Sequence, residues 1–573
     1  MKTLINLILL NIIPLIYCGG YREVKTKYGK IIGRVNVINK KHITHFLGIP
    51  YAKPPLKNLR FKPPQPLKVP AWKTTFNASI KARSCMQYVQ KTGLIGYDIT
   101  IPTNKISEDC LQLNIFAPHK TNMPVIVFFH GGAYNFGSGS LLIHKGEFLS
   151  RKTNQIVVTV NYRLGIFGFA YLESGRAIPG NIGLLDQQMA LKWVYENIAK
   201  FGGNPKKITI WGQSSGSASA TAHLFAPNST KYFSKVIANS GTILNSWATI
   251  SDSFAENNTI AVVKLLKCKT KDYKKMVQCL QKAPAEKILQ YSLQVKQDNQ
   301  EPVFYSFAPV KVDNLFFRGN VLHKFARYDM NKDVDLWIGK TANEASYFMP
   351  SILRPTFSNC TLNPANMYDS LDKACQITDL EFKGFFYKSM SLYVKNQTQL
   401  KPLLDQYYKL NLKTPRAMLE RFLSDILFDC DIIRFTHTYA LLTKKNVFFY
   451  HFEKRSKLKA FPSWMGVYHG TELEYEFVWP LIQRSRYPKS FYSEHKYAHL
   501  TAKMFGRFNH HGRPAPLFRK YKPQYPVGSI YDDVLTYNGP KRFKKVKTAT
   551  CSQIGELIDL FILNHSTVED KKK

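Results

Sequence analysis

The stretch "ITIWGQSSGSASA", residues 208–220, decides how this chain folds. A β-branched, apolar run from Ile208 to Trp211 gives way at once to Gly212-Gln213-Ser214-Ser215-Gly216 and then to a series of small residues. G-x-S-x-G is either a flexible loop or a strained strand-to-helix turn that lifts a nucleophilic hydroxyl above a sheet. In so tight a turn a side chain at 212 or 216 would collide with the neighbouring strand and helix, which is why both positions would need glycine. The motif alone does not choose between the two readings, so its surroundings must.

Working outward, "MPVIVFFHGG" (123–132) and "QIVVTVNYRLG" (155–165) read as buried strands. "GLLDQQMALKWVYENIAKFGG" (183–203) reads as a helix, with Leu184, Leu185, Met189, Ala190, Trp193 and Ile198 at helical spacing and a stop at Gly202 and Gly203. The strand "KITIW" follows, then a small-residue helix from Ser215, then the strand "SKVIANSG" (234–241). Regular alternation of strand and helix implies parallel strands joined by right-handed crossovers. Reactive groups in such sheets gather at the carboxyl ends of the strands, which is where Ser214 stands.

A serine hydroxyl is a weak nucleophile at neutral pH and needs a base, an acid to orient that base, and donors for an oxyanion. "FFHGGAYNFGSG" (128–139) places Gly131 and Gly132 just past a strand, where a loop can aim backbone N–H groups at Ser214, and the N–H of Ser215 would complete the hole. Because these donors are backbone groups, the Ser215 side chain is given no part. His469 in "MGVYHGTELEYEF" (465–477) sits late in the chain in a non-helical setting, as the order serine, acid, histidine requires. For the acid, Glu344 follows the strand-like "DLWIGK", yet local chemistry does not separate it from Asp335 or Glu301.

Composition bounds the setting. The 573 residues, 45% of them hydrophobic, can bury a large core, and no linker, repeat or low-complexity block divides them, so one domain over 21–565 is expected, with a charged tail over 566–573. "MKTLINLILLNIIPLIYCGG" (1–20) has the layout of a secretory signal peptide, and no later window is apolar enough to span a bilayer. Beyond Cys18 the eight cysteines at 85, 110, 268, 279, 360, 375, 430 and 551 are an even number without a C-x-x-C pair, which reads as a disulfide framework and not as zinc. N-x-[ST] sequons at Asn77, Asn228, Asn257, Asn359, Asn396 and Asn564 fit the same secreted, extracellular route. The net charge of +41 points either to an anionic surface or, the reading favoured here, to a lysine-rich solvated face. No nucleic-acid motif accompanies it, so nucleic acid is not an expected partner.

The residues then resemble a known family, the type B carboxylesterases or cholinesterase-like serine hydrolases of the α/β-hydrolase fold. "FLGIPYAKPP", "LRFKPPQP", "SEDCLQLNIFAP", "VNYRLGIFGF", the long run 180–216, "FAPVKVD", "TANEASYF" and "GVYHGTELEYEF" occur in the family's order and spacing, over about residues 22 to 565. The resemblance implies Ser214 as nucleophile, Glu344 as acid and His469 as base, with oxyanion donors at Gly132, Ala133 and Ser215 and with Gly131 shaping the loop. Ala133 stands where many members have a third glycine, and Gln213 where many have Glu; juvenile hormone esterases are similar in having Gln. The resemblance also implies disulfides Cys85–Cys110, Cys268–Cys279 and Cys430–Cys551, leaving Cys360 and Cys375 outside the family pattern as the fourth pair. Arg60 with Glu108 and Arg163 with Asp186 resemble the family's buried structural ion pairs.

One departure bears on substrate. Cholinesterases carry a tryptophan seven residues before the Ser of "SEDC", where its ring holds a quaternary ammonium. Here that position is Thr100, and a strongly cationic protein attracts cationic esters poorly. The expectation is therefore a serine esterase acting on a small, neutral carboxyl ester without metal or cofactor. The alternatives are a non-catalytic adhesion protein of the same fold, or an esterase for a hormone, lipid or choline ester. "EPVFYSFAPV" (301–310) is expected to wall the pocket through Phe304, Tyr305 and Phe307.

Overall fold

In the computed structural model the described residues are 16–557, except 39, 296–304, 355, 357–359, 364–372, 392, 395, 459 and 488–490. Along the chain come strands β1 (Ile16–Thr26), β2 (Gly29–Ile38), β3 (Lys41–Pro50), β4 (Gln112–Pro118), β5 (Met123–Phe129) and β6 (Ile156–Val160). Then follow β7 (Gly203–Gln213), β8 (Lys235–Asn239), β9 (Asp335–Thr341), β10 (Val447–Phe452), β11 (Val527–Tyr531) and β12 (Phe543–Lys545). They join one sheet in the order β1-β2-β3-β4-β6-β5-β7-β8-β9-β10-β11-β12. The pairs from β6 through β11 are parallel, and the outer pairs are antiparallel.

The expected alternation of strand and helix is present. Every residue of β5 and β6 is buried, because helices cover both sheet faces. Alternate residues of β5 feed different cores: Val125, Val127 and Phe129 pack on one face, Ile126 and Phe128 on the other. Helix α1 (Glu147–Thr153) precedes β6, and α2 (Ile182–Asn197) runs on as a 3₁₀ turn to Phe201. Gly202, at φ +97°, ends that turn, and a Cβ there would lie 2.1 Å from the Lys120 carbonyl oxygen. Helix α3 (Ser215–Ala222) follows β7, and α4 (Phe491–His511) is the long helix packed against α1 and against β7.

Most of the segment read as a leader lies outside the described residues; its last part, from Ile16, forms the start of β1, where the pairing with β2 shifts register between Cys18 and Tyr21. The disulfides are Cys85–Cys110, Cys268–Cys279, Cys360–Cys375 and Cys430–Cys551. Asn77, Asn228, Asn257 and Asn396 are exposed, whereas Asn359 and Asn564 fall outside the described residues. Residues 549–557 are helical, and the tail expected over 566–573 lies outside the described residues. Among the described residues no helix is long and apolar enough to cross a membrane.

Candidate active site

Ser214 stands between β7 and α3 at φ 59°, ψ −129°, a backbone conformation that costs on the order of 1–3 kcal/mol outside glycine. The strain is held by neighbours: the Ser214 N–H donates to the Asn239 carbonyl at 2.9 Å, at the end of β8. The two flanking glycines are sterically required. A Cβ on Gly212 would lie 2.0 Å from the Gly216 carbonyl oxygen, and one on Gly216 would lie 2.0 Å from that of Phe129.

The loop after β5 wraps over this turn. Gly131 passes so close that a Cβ would lie 2.7 Å from the Gln213 carbonyl oxygen and 3.0 Å from Ser214 Cβ. Gly132, Ala133 and Tyr134 all have positive φ, at 116°, 51° and 61°, so Ala133 adopts the left-handed turn despite its side chain. The loop is pinned from below by Tyr162, whose hydroxyl donates to the His130 carbonyl at 2.8 Å, and from the side by Gln87, which bonds both the N–H and the C=O of Gly137 at 2.8 Å. The Ser215 hydroxyl accepts from the Tyr134 N–H at 3.2 Å, so the side chain given no part in the sequence reading ties this loop to α3. Among the described residues no acceptor takes the N–H of Gly132, Ala133 or Ser215. These are unspent donors around Ser214, the Ser215 group being a free first-turn helix donor.

His469 lies on the loop after β10. Its Nδ1 is 2.5 Å from Glu344 Oε2, and Glu344 Oε1 accepts from the Thr341 N–H at 2.7 Å. Burial alone would raise the fully buried Glu344 carboxyl; the charge and hydrogen bond of His469, with Ser240 and Lys340, hold it below the usual range. Of the other acids weighed for this role, Asp335 caps Asn446 at the opposite end of β9, and Glu301 lies outside the described residues. Aromatic rings fix the imidazole: Phe428, on a π-helical turn over Asp425–Asp429, is 4.9 Å away and Phe348 is 5.1 Å away.

Two features went unread in the sequence. Gln213 Nε2 lies 3.0 Å from His469 Nε2. With Nδ1–H directed at Glu344, Nε2 is the acceptor and the Gln213 amide the donor, while Ser214 Oγ makes no hydrogen bond to the described residues. The second is a row of buried carboxyls behind the histidine, visible in "GTELEYEF" as acids at every second position. Glu472 is pushed up to about 8 by burial and by the nearby Glu344 charge, and Glu474 to about 7 by burial. Glu476 is raised well above the usual range by burial and by Glu472, although both its oxygens accept from Asn239 Nδ2 at 2.8 and 2.7 Å.

Ser214 and His469 line one cavity of about 100 Å³, walled by Trp247, Tyr305, Tyr347, Phe348, Phe428 and Tyr468, with Thr100 also at its edge. Tyr305 thus takes the expected place; Phe307 is buried elsewhere, and Phe304 lies outside the described residues. Arg60 grips Glu108 through Nε at 2.5 Å and its second nitrogen at 2.6 Å, and Arg163 grips Asp186 at 2.7 and 2.6 Å, both away from the cavity.

The sequence model of the carboxylesterase family matches residues 21–552. A cholinesterase of Mus musculus is 34% identical over 501 residues, covering 86% of this chain and 79% of that protein. Acetylcholinesterase 4 of Caenorhabditis briggsae is 32% identical over 520 residues, 88% of this chain and 83% of its own. The acetylcholinesterase of Electrophorus electricus is 32% identical over 532 residues, 86% and 80% of the two chains. With its mostly parallel sheet flanked by helices in the α/β-hydrolase fold, the chain belongs to the carboxylesterase family and is a carboxylic ester hydrolase.

Proposed function

We propose that Ser214, His469 and Glu344 form the catalytic triad of a secreted serine esterase acting on small neutral carboxyl esters. The observation that carries this reading is the 2.5 Å contact of His469 with the buried Glu344, His469 lining the same cavity as the strained Ser214. Glu344 orients the imidazole and balances the imidazolium; His469 Nε2 takes the Ser214 proton as Oγ attacks the carbonyl carbon. The negative oxygen meets the N–H groups of Gly132, Ala133 and Ser215. His469 then returns its proton to the leaving alkoxide, and water, activated by the same base, releases the acid from the acyl-serine. Because Gln213 occupies Nε2 in this structure, its amide must turn aside for the serine to engage.

The cavity wall is aromatic, and Thr100 stands there without an aromatic ring for a cationic head group, which supports neutral esters. The names of the relatives make choline esters the second reading. The disulfides support export through an oxidising compartment, with residues 1–20 as leader, 21–565 as the folded domain, 566–573 as tail, and glycans on the sequons, first of all those at the exposed Asn77, Asn228, Asn257 and Asn396.

The test is fluorophosphonate labelling of the wild type and of Ser214→Ala, with turnover of short-chain and medium-chain nitrophenyl esters beside acetylthiocholine. Labelling that vanishes in Ser214→Ala, with kcat lower by about four to six orders of magnitude, supports the triad. Labelling retained in that variant overturns it. Preference for acetylthiocholine over every neutral ester would replace the substrate assignment alone.

A further inference from the structure

Glu344 follows β9 and His469 follows β10, and their 2.5 Å contact lasts only while those two loops keep their spacing. The residue that joins the loops is Asn343, next to Glu344 in "TANEASYF" (341–348). Its N–H donates to the Val467 carbonyl at 3.0 Å, and its Oδ1 accepts from the Val467 N–H at 3.1 Å, two residues before His469. Gly466 permits the approach: at φ 58° it passes so close that a Cβ would lie 2.3 Å from Asn343 Oδ1. Ser346 adds a third tie, its hydroxyl donating to the Met465 carbonyl at 2.7 Å.

The other end of the Asn343 amide faces away from this join. Nδ2 donates to Glu420 Oε2 at 3.1 Å, on the helix Pro415–Ser424. Glu420 Oε1 accepts from the Ser424 hydroxyl at 2.6 Å, and Ser424 Oγ accepts from the Ala345 N–H at 2.9 Å. The residues on both sides of Glu344 are thus bonded to one helix, through two side chains that also bond each other. Glu420 and Ser424 are buried, so little water competes for these bonds. The same helix runs into the π-helical turn Asp425–Asp429, which lays Phe428 against the His469 ring.

Asparagine is matched to position 343. One end of the side chain accepts from a backbone N–H while the other donates to a carboxyl; an ionised carboxylate there would have no donor, and alanine would have neither group. Asn343, Glu420 and Ser424 do not line the catalytic cavity, so whatever they do for the reaction passes through the acid and the base.

We propose that Asn343 and Glu420 are positioning residues that clasp the acid-bearing loop to the base-bearing loop, so that Glu344 meets His469 in the orientation proton transfer needs. This rests on the triad reading of Ser214, His469 and Glu344 and adds to it the device that holds the last two together.

The experiment counts active sites with the fluorophosphonate probe and measures kcat per labelled site on a short-chain nitrophenyl ester, with thermal melting beside it. The variants are Asn343→Ala, Glu420→Leu and Glu420→Gln, with Asn446→Ala as control. Asn446 ties the same two strands at their other end, donating to Asp335 at 2.9 Å. Because a misplacement of about 1 Å can cost about 10²-fold, Asn343→Ala and Glu420→Leu are expected to lower kcat per labelled site by about 10- to 100-fold, with KM within about twofold. Glu420→Gln, whose amide can accept from Asn343 and donate to Ser424, should recover most of that loss. Asn446→Ala should lower the melting temperature and change kcat per labelled site by less than about twofold. Wild-type kcat per labelled site in Asn343→Ala and Glu420→Leu would overturn the proposal. So would an equal fall in Asn446→Ala, or a Glu420→Gln as impaired as Glu420→Leu; the Glu420 pair decides the matter if Asn343→Ala does not fold. Labelling retained in Ser214→Ala would overturn the triad reading itself, so the two failures are distinct.

Discussion

Buried carboxylates occur in two kinds of surroundings in this molecule. Asp186 is fully buried and pushed up by burial, yet Arg163 meets both its oxygens and pulls it back. Behind His469, Glu472, Glu474 and Glu476 are as deeply buried, but their hydrogen-bond partners are hydroxyls and an amide rather than cations. The first region settles its charge by ion pairing and the second by holding protons. A cation-paired carboxylate locks strands and loops together over a wide pH range, whereas a protonated one ties the loop that carries His469 to pH. The difference places structural rigidity in one region and pH response in the other.

The sharpest break concerns Glu344, which belongs to the second region by position and to the first by its basic partner. Glu344→Gln should cut kcat by about 10⁴ with little loss of fold, because the amide can no longer fix the imidazole tautomer; steady-state kinetics beside thermal melting would separate the two effects. Next, Arg163→Met should cost about 3–5 kcal/mol by stranding Asp186, with kcat per folded molecule unchanged; denaturant titration with active-site counting measures both.

A smaller effect tests the carboxyl row. A carboxyl raised in the folded state favours folding while protonated. Its contribution is full below the unfolded value near 4.5 and is lost as pH climbs through about 8 for Glu472 and about 7 for Glu474. Stability should therefore fall between pH 5 and 8, by about 1.4 kcal/mol per pH unit for each group still titrating, and Glu472→Gln should flatten that slope. Melting temperatures across that range decide the matter, and an unchanged slope would refute it. The smallest effect falls on Gln213. A carboxylate there cannot donate to the neutral Nε2 but pairs with imidazolium, so Gln213→Glu should lower kcat/KM at neutral pH by about tenfold and move the acid limb of the profile upward, while Gln213→Ala should change it only a few-fold.

Much of this was legible in the chain itself. The strand-helix alternation around residue 214 announced the sheet, because period-2 and period-3.6 apolar patterns are local. Glycines at 131, 212 and 216 announced the tight turn, because close backbone approach excludes a Cβ whatever the rest of the fold does. The acid was different: Glu344 and Asp335 lie on the same strand-loop unit, and only the direction of β9 puts one beside His469 and the other at the far end.

The sequence by itself determined the fold, the tight turn at Ser214 and the order of Ser214, Glu344 and His469, since those depend on neighbours along the chain. Tertiary structure alone decided that Gln213 meets His469, that Ser215 fastens the loop over Ser214, and that burial raises the acids after His469. Each of these depends on which groups meet across the fold and on how little water remains between them. Burial and pairing of that kind come from packing segments as much as 357 residues apart, and no local pattern encodes them.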